Sequence, residues 1–219
     1  LRQEVAKATN SLSELKAIAR EAPSTRDHWH EAFGINICGE FLGNPSDDGP
    51  DRTGIHTHAD GLIHIHPFGS GATGDHATME VFLGQIGASV TDDSLTLKDG
   101  TTKTNGDKCD GKAGEVALFV WPPQASDKSE PEKFTGTDIT EHRFTEDGGA
   151  YVLSFNPKGY TPKLPPSMTE LANPSDVEPG QSTGGLNSAT SSTVPAAPST
   201  PAESTTTAAP AESTTSAPR

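Results

Sequence analysis

The chain has 219 residues, of which 31% are hydrophobic, 22 are glycine and 18 are proline, so one domain with a modest core is expected. Its formal net charge of -14 excludes nucleic acid and anionic membrane surfaces as partners, because no stretch gathers enough Lys or Arg to neutralise phosphates. Cations are the ligands that this charge favours.

The first segment carries the apolar stripe of one amphipathic helix. Apolar residues recur at alternating steps of four and three between charged and polar residues, at Leu1, Val5, Ala8, Leu12, Leu15 and Ala19. Pro23 and the polar residues after it end the pattern, so residues 1–26 are predicted to be a separate helical unit. This helix would pack on the domain or follow a membrane anchor that lies upstream of Leu1. Such an anchor is the only membrane contact that we expect.

Residues 27–164 alternate in the manner of strands around one helical stretch. Strands are predicted where β-favouring residues are bounded by turn clusters, over 28–42, 54–58, 61–68, 115–121 and 150–155. Met79, Phe82, Leu83 and Ile86 recur at helical spacing before Gly87, which is typical of a helix with a C-terminal cap. The expected fold class is α+β, with a small mixed or antiparallel sheet, one packed helix and a β-grasp-like arrangement.

Residues 165–219 are dominated by Ser, Thr, Pro and Ala, and the sequence PAESTT at 201–206 recurs at 210–215. Such a segment buries too little apolar surface to offset the entropy of ordering, and it is predicted to be disordered. Tails of this composition are typical of stalks and linkers outside the cytoplasm. They favour an extracytoplasmic protein, at the cell surface or secreted, whose partner is a cell-envelope protein or polymer.

Cys38 and Cys109 are the two cysteines of the chain. In an exported protein this even number predicts one disulfide, which would close a loop of about 70 residues and stabilise the domain by roughly 4 kcal/mol. In a cytosolic protein both would be reduced. Neither lies in a CxxC motif, so a thiolate metal site or a thioredoxin-like role has little support.

Three pairs of histidines, each spaced by two residues, carry the main chemical signal. They are His28 and His30, His56 and His58, and His64 and His66. Residues two apart in a strand point to the same face. A hairpin that turns within 59–61 would therefore bring His56 opposite His64 and gather the imidazoles on one side of the sheet, with the earlier strand adding His28 and His30.

This pattern has two interpretations. Neutral imidazole is the commonest protein ligand for zinc and copper, so the cluster predicts a copper or zinc site, whose shell could be completed by His76, Asp27, Glu31 or Asp60. The alternative is a hydrogen-bonded or pH-sensitive histidine cluster on a surface interaction module. His142 lies in a charged segment and is interpreted as incidental.

Catalysis ranks behind these two binding functions. The sequence contains no nucleophile elbow, phosphate-binding loop or dinucleotide-binding motif. A metal site with an open position could support chemistry, but no general acid, general base or substrate pocket stands out. We therefore expect a non-enzymatic protein.

One resemblance extends over roughly residues 27–160. The order of HWH, GINICGEFL, GIHTHADGLIHIHPF, ATMEVFLGQIG and CDGKAGEVALFVW, followed by a hydrophobic strand near 150, resembles an uncharacterised family of exported, notably actinobacterial, His-rich domains. Its most specific part is the paired-histidine hairpin with the helix after it. The resemblance implies an extracytoplasmic domain behind an N-terminal anchor, and it implies no activity.

Overall fold

The computed structural model describes residues 22–176, which form strands around two short α-helices. The strands are β1 (Trp29–Ile37), β2 (Glu40–Phe41), β3 (Ile55–His56), β4 (Leu62–Ile65), β5 (Ser89–Val90), β6 (Ser94–Thr96), β7 (Thr102–Thr104), β8 (Lys108–Cys109), β9 (Lys112–Trp121), β10 (Glu132–Phe134) and β11 (Ala150–Pro157). The α-helices are α1 (Met79–Gln85) and α2 (Thr137–Glu141), and 3-10 helices span Ser70–Ala72, Gly74–His76 and Pro166–Ala172.

The main sheet is mixed, with strand order β10-β9-β11-β1-β4-β3. The first strand, β1, and the last, β11, lie side by side and parallel at its centre, whereas the other neighbours in this order are antiparallel. A small separate sheet has the order β5-β6-β7. The predicted α+β class with a mixed sheet is confirmed, and the strands at 115–121 and 150–155 lie within β9 and β11.

One face of the main sheet packs against α1, whose apolar residues have the spacing expected of a helix. Met79, Phe82 and Leu83 are buried in the larger core, and the ring of Phe82 lies 4.9 Å from that of Phe33 on β1, centroid to centroid. The chain leaves the helix at Gly87 with φ +69°, a conformation that glycine adopts without strain. The predicted helix is confirmed, but the prediction of a single helix missed α2.

The opposite face of the sheet is covered by the C-terminal 3-10 helix. Leu164, Met168 and Leu171 pack there against a second apolar cluster of seven buried residues from the sheet, and the Ser167 hydroxyl donates a 3.0 Å hydrogen bond to the Phe33 carbonyl. The disorder predicted from residue 165 is therefore wrong for residues 165–176. These residues are ordered because they shield apolar sheet surface that water would otherwise contact.

The remaining predictions about the two ends fall largely outside the described range. Of the helix predicted over residues 1–26, the structure describes only residues 22–26, which form a turn in which the Asp27 amide donates to the Ser24 carbonyl at 3.1 Å. The rest of that helix and residues 177–219 of the predicted tail lie outside the described residues. No helix within residues 22–176 combines the length and the apolar character needed to cross a bilayer.

Cys38 and Cys109 form a disulfide, with their Cα atoms 5.2 Å apart. The bond links the residue after β1 to the end of β8, which pairs with β9. It joins segments separated by 71 positions and is consistent with folding in an oxidising compartment.

Candidate metal centre

Strand pairing places three of the predicted histidines side by side on one face of the sheet. His30 on β1 pairs with His64 on β4, and His64 pairs in turn with His56 on β3. The His64 ring lies 4.9 Å from that of His30 and 5.5 Å from that of His56, centroid to centroid. All three residues are buried, and the predicted pairing of His56 with His64 is confirmed.

The other three histidines extend this row at its two ends. The His66 ring lies 5.2 Å from that of His28 and 4.7 Å from that of His56. The His58 ring lies 4.6 Å from that of His64, and its Nε2 is 3.0 Å from the Nε2 of His56. The structure therefore brings all six predicted histidines into one continuous cluster, which we call the histidine cluster.

Gly54 determines where His66 lies. The His66 amide donates a 2.7 Å hydrogen bond to the Gly54 carbonyl. Gly54 has φ +82°, and a Cβ atom there would overlap the His66 carbonyl. Only glycine allows this close approach of the two backbones, so Gly54, two residues before His56, is part of how the cluster is built.

A carboxylate that the sequence analysis did not identify, Asp176, lies against the cluster. Its Oδ2 is 2.8 Å from His28 Nε2 and 3.0 Å from His64 Nδ1, and its Oδ1 is 2.9 Å from His30 Nε2. The contacts with His28 and His30 are hydrogen bonds, whereas the His64 contact has the distance but not the geometry of one. Asp176 follows the C-terminal 3-10 helix, and Pro174 beside it is buried.

Two further carboxylates contact imidazoles from the outer side of the cluster. Asp60 Oδ2 hydrogen-bonds His64 Nε2 at 3.0 Å, and Asp51 Oδ2 lies 3.0 Å from His56 Nδ1. Asp51 is itself held by the amides of Thr53 and Gly54, which donate to its Oδ1 at 3.0 and 2.8 Å. Carboxylates that contact one ring nitrogen orient the other nitrogen toward a metal in many metalloproteins.

The histidine pKa values differ across the cluster. Burial lowers the pKa of His30 to about 4, although Asp176 opposes the change. Burial also lowers the pKa values of His56 and His66. Burial would lower the pKa of His64 as well, but Asp60 and Asp176 together raise it. Three of the buried or half-buried imidazoles are therefore biased toward the neutral form, which is the form that binds metals.

The two carboxylates beside His64 are biased toward the charged form. Burial alone would raise the pKa values of Asp60 and Asp176, but their histidine contacts outweigh it and hold both values well below the usual range. The Leu62 amide adds a 3.0 Å hydrogen bond to Asp60 Oδ1. Anionic oxygen and neutral nitrogen donors therefore lie side by side in the cluster.

The described residues contain three sets of donor atoms that could each hold one metal ion. They are His28, His66 and Asp176; His30, His64 and Asp176; and Asp51, His56 and His66. Within each set the donor atoms all lie within 4.8 Å of one another. Mixed imidazole and carboxylate donors suit zinc and copper(II), and a set of three leaves further positions for water or another ligand. His58 belongs to none of the three sets and contacts the other histidines through His56 and His64.

Of the additional shell residues predicted from sequence, only Asp60 lies beside the cluster. Asp27 instead accepts hydrogen bonds from the amide and hydroxyl of Ser24. His76 is exposed at the end of a 3-10 helix. Glu31 follows His30 directly on β1 and points to the opposite face, because adjacent strand residues alternate.

Glu31 lines a separate pocket on that opposite face, together with Val120, His142 and Tyr151. Its side chain is fully buried, and neither carboxyl oxygen has a hydrogen bond of ordinary geometry. Burial raises its pKa well above the usual 4.5; Asp147 and Glu146 add to the rise, and the nearby Gly149 amide opposes it. Burial lowers the pKa of His142 to about 4. Because His142 lines this pocket and its ring lies 5.5 Å from that of Tyr151, centroid to centroid, it lies outside the histidine cluster.

We expect Glu31→Gln to stabilise the protein at neutral pH. Because the pKa of Glu31 is higher in the folded than in the unfolded protein, the stability it provides is complete below about pH 4.5 and is lost as pH rises toward the folded pKa. Each unit of that rise costs about 1.4 kcal/mol above the folded pKa. Thermal unfolding from pH 4 to 8 measures the effect. The melting temperature of Glu31→Gln should be at least about 2 °C above that of wild type at pH 8, and the two proteins should melt at the same temperature at pH 4.

The charged and titratable groups around the pocket define the control for this experiment. They are Glu130, Glu132, His142, Glu146, Asp147 and Tyr151. Glu132→Gln changes the same group at an exposed position of β10 and should leave the pH dependence as in wild type. A Glu31→Gln protein whose stability falls with pH as steeply as wild type would contradict the assignment.

No protein-family model, curated protein or solved structure matches the chain. The site is therefore interpreted from its own geometry. Sequence reasoning missed Asp51 and Asp176. Asp51 accepts hydrogen bonds from the amides of Thr53 and Gly54, two and three residues later. An aspartate that is followed by such a turn is a pattern that the sequence could have revealed. Asp176, in contrast, had no signal, because its segment was predicted to be disordered.

Proposed function

We propose that this protein is an extracytoplasmic domain that binds zinc or copper(II) through the histidine cluster. The observation that carries the proposal is the gathering of five histidines and two aspartates from distant parts of the chain into three donor sets. Histidines that only fill a sheet face do not need carboxylates from three separate loops. Asp51, Asp60 and Asp176 each contact an imidazole at 3.0 Å or less.

The burial of the ligands also supports a metal over a purely hydrogen-bonded cluster. His30 and His64 are at most 2% exposed, and the Nδ1 atom of His30 has no hydrogen bond, whereas those of His56 and His64 lie 3.0 Å from carboxylates without the geometry of a hydrogen bond. A buried polar atom without a partner costs about 1–3 kcal/mol. A metal ion bound by the cluster would satisfy such a nitrogen atom.

Location, fold type and family belong to the same proposal. The disulfide supports an oxidising, extracytoplasmic compartment. The β-grasp-like arrangement is supported by the parallel pairing of the first and last strands at the sheet centre, with α1 packed on one face. Membership of the exported His-rich family rests on the paired-histidine hairpin, and attachment to the cell surface through an anchor rests on that resemblance.

The test is metal uptake by the full 219-residue chain. Protein stripped with a chelator is incubated with zinc(II) or with copper(II), desalted and analysed for bound metal. His30→Ala/His64→Ala is compared with His76→Ala, which removes an exposed histidine outside the cluster. We expect stoichiometric metal in wild type and in His76→Ala, and affinity at least about tenfold lower in the double variant. Circular dichroism of each metal-free variant shows whether it is folded.

Two results would reject the proposal. One is a wild-type chain that retains neither metal, and the other is a folded double variant that retains as much as wild type. The alternative function is then favoured by a specific observation: Asp60 and Asp176 raise the pKa of buried His64. Such a group makes the cluster a pH-sensitive element of a surface interaction module.

A further inference from the structure

We infer that Asp176 is a bridging carboxylate that joins two metal ions in the histidine cluster, so that the site is a two-metal centre closed by the segment after the C-terminal 3-10 helix. This inference rests on the proposed function and specifies its stoichiometry and its bridging ligand. The ions would be two divalent transition-metal ions. Asp176 belongs to two donor sets at once, and the histidines of the two sets are different.

The contacts of the carboxylate show how one group serves both sets. Oδ2 lies 2.8 Å from Nε2 of His28, which belongs to the first set. Oδ1 lies 2.9 Å from Nε2 of His30, and Oδ2 lies 3.0 Å from Nδ1 of His64, both of the second set. Donors that share one ion at about 2.0–2.1 Å are themselves roughly 3 Å apart. The carboxylate is therefore at ligand spacing from both sets.

The imidazole of His64 is already oriented for this arrangement. Its Nε2 is held by Asp60 at 3.0 Å, which leaves Nδ1, 3.0 Å from Asp176 Oδ2, as the nitrogen free to bind a metal. The same Asp60 oxygen accepts a 2.8 Å hydrogen bond from the Ser175 hydroxyl. Asp60 thus orients a ligand and also holds the residue before the bridge, so it is a positioning residue for both.

Charge supports two ions over one. Asp51, Asp60 and Asp176 place three carboxylates around the histidine cluster, and the whole chain carries a net charge of -14. Two divalent cations a few ångströms apart repel each other, and an anionic group in contact with both reduces that repulsion. A neutral histidine cluster without a shared carboxylate would lack this compensation.

Copper(II) loading of the full chain tests the bridge, with elemental analysis for stoichiometry and electron paramagnetic resonance for the distance between ions. In wild type we expect at least two ions per chain and a coupled signal, including the half-field transition of two nearby copper(II) ions. Asp176→Asn keeps the size of the side chain and removes its charge. It should abolish the coupled signal and weaken binding of the second ion at least about tenfold.

Asp127→Asn is the matched control, since Asp127 is exposed and lies outside the cluster; it should give the wild-type signal. One isolated ion per wild-type chain, or coupling that persists in Asp176→Asn, would overturn the bridge and leave metal binding standing. A wild-type chain that binds no copper(II) and no zinc(II) would overturn the proposed function itself. A chain that binds only zinc(II) is tested by stoichiometry, with two zinc ions in wild type and one in Asp176→Asn expected.

Discussion

Replacement of both cysteines, Cys38→Ser/Cys109→Ser, should lower the free energy of unfolding by about 4 kcal/mol. The disulfide joins residues separated by 71 positions, and closing a loop of that length removes conformational entropy from the unfolded chain by about this amount. Loss of buried Cys109 sulfur packing against the core adds to the effect. Urea denaturation followed by circular dichroism, for the variant and for wild type with and without reductant, measures the difference.

The histidine cluster provides a control for this variant. Cys38 follows the far end of β1, eight residues after His30, a distance of roughly 26 Å at about 3.3 Å per strand residue. The variant should therefore still take up metal at low temperature, where it remains folded. An unchanged midpoint in urea would show that the disulfide contributes little, and a loss of metal by the folded variant would show that the two regions are coupled.

The regular elements were predictable because their apolar residues face a core. Met79, Phe82, Leu83 and Ile86 recur with the period of a helix, and all four are buried. The alternation in the hairpin likewise directs Ile63 and Ile65 to the α1 side and His64 to the other side. Once a segment packs against a hydrophobic core, its periodicity determines which face each residue occupies.

The same rule could have excluded Glu31 from the metal site. A residue adjacent to His30 on a strand must point away from the face that His30 occupies. Glu31 is indeed buried on the opposite side, near Val120 and Tyr151. Glu31 was proposed as a metal ligand because it is a carboxylate next to His30 in sequence. That prediction was wrong, because adjacent residues of a strand point to opposite faces.

The closure of the site by Asp176 could not be read from local sequence. Residues after Pro165 are polar and poor in large side chains, so their order depends on the apolar sheet face that Met168 and Leu171 cover. That face is assembled from β1, β4, β9 and β11, which are distant in sequence. Only the completed sheet creates the surface on which the C-terminal 3-10 helix docks and from which Asp176 reaches the histidines.

Zinc(II) should stabilise the folded protein strongly at neutral pH and much less at pH 5. A ligand present at 100 times its dissociation constant adds about 2.7 kcal/mol, which corresponds to a rise in melting temperature of at least about 5 °C for a domain of this size. At pH 5 protons compete with zinc for the imidazole of His64, whose pKa burial would lower but Asp60 and Asp176 raise above the ordinary 6.5. Thermal unfolding of the full chain, with zinc and with chelator at pH 7.5 and pH 5, measures both shifts.

The double variant and an exposed histidine separate this stabilisation from adventitious binding. His30→Ala/His64→Ala removes both imidazoles of the donor set that is least exposed, and it should reduce the zinc-dependent shift at pH 7.5 to about half, because a tenfold weaker affinity lowers the stabilisation by about 1.4 kcal/mol. His76→Ala should behave as wild type, because exposed His76 lies outside every donor set. A zinc-dependent rise in melting temperature that is equal in all three proteins would show that zinc binds outside the histidine cluster. A shift that is reduced in the double variant but not in His76→Ala, and that is smaller at pH 5 than at pH 7.5, links metal binding to the stability of the folded sheet.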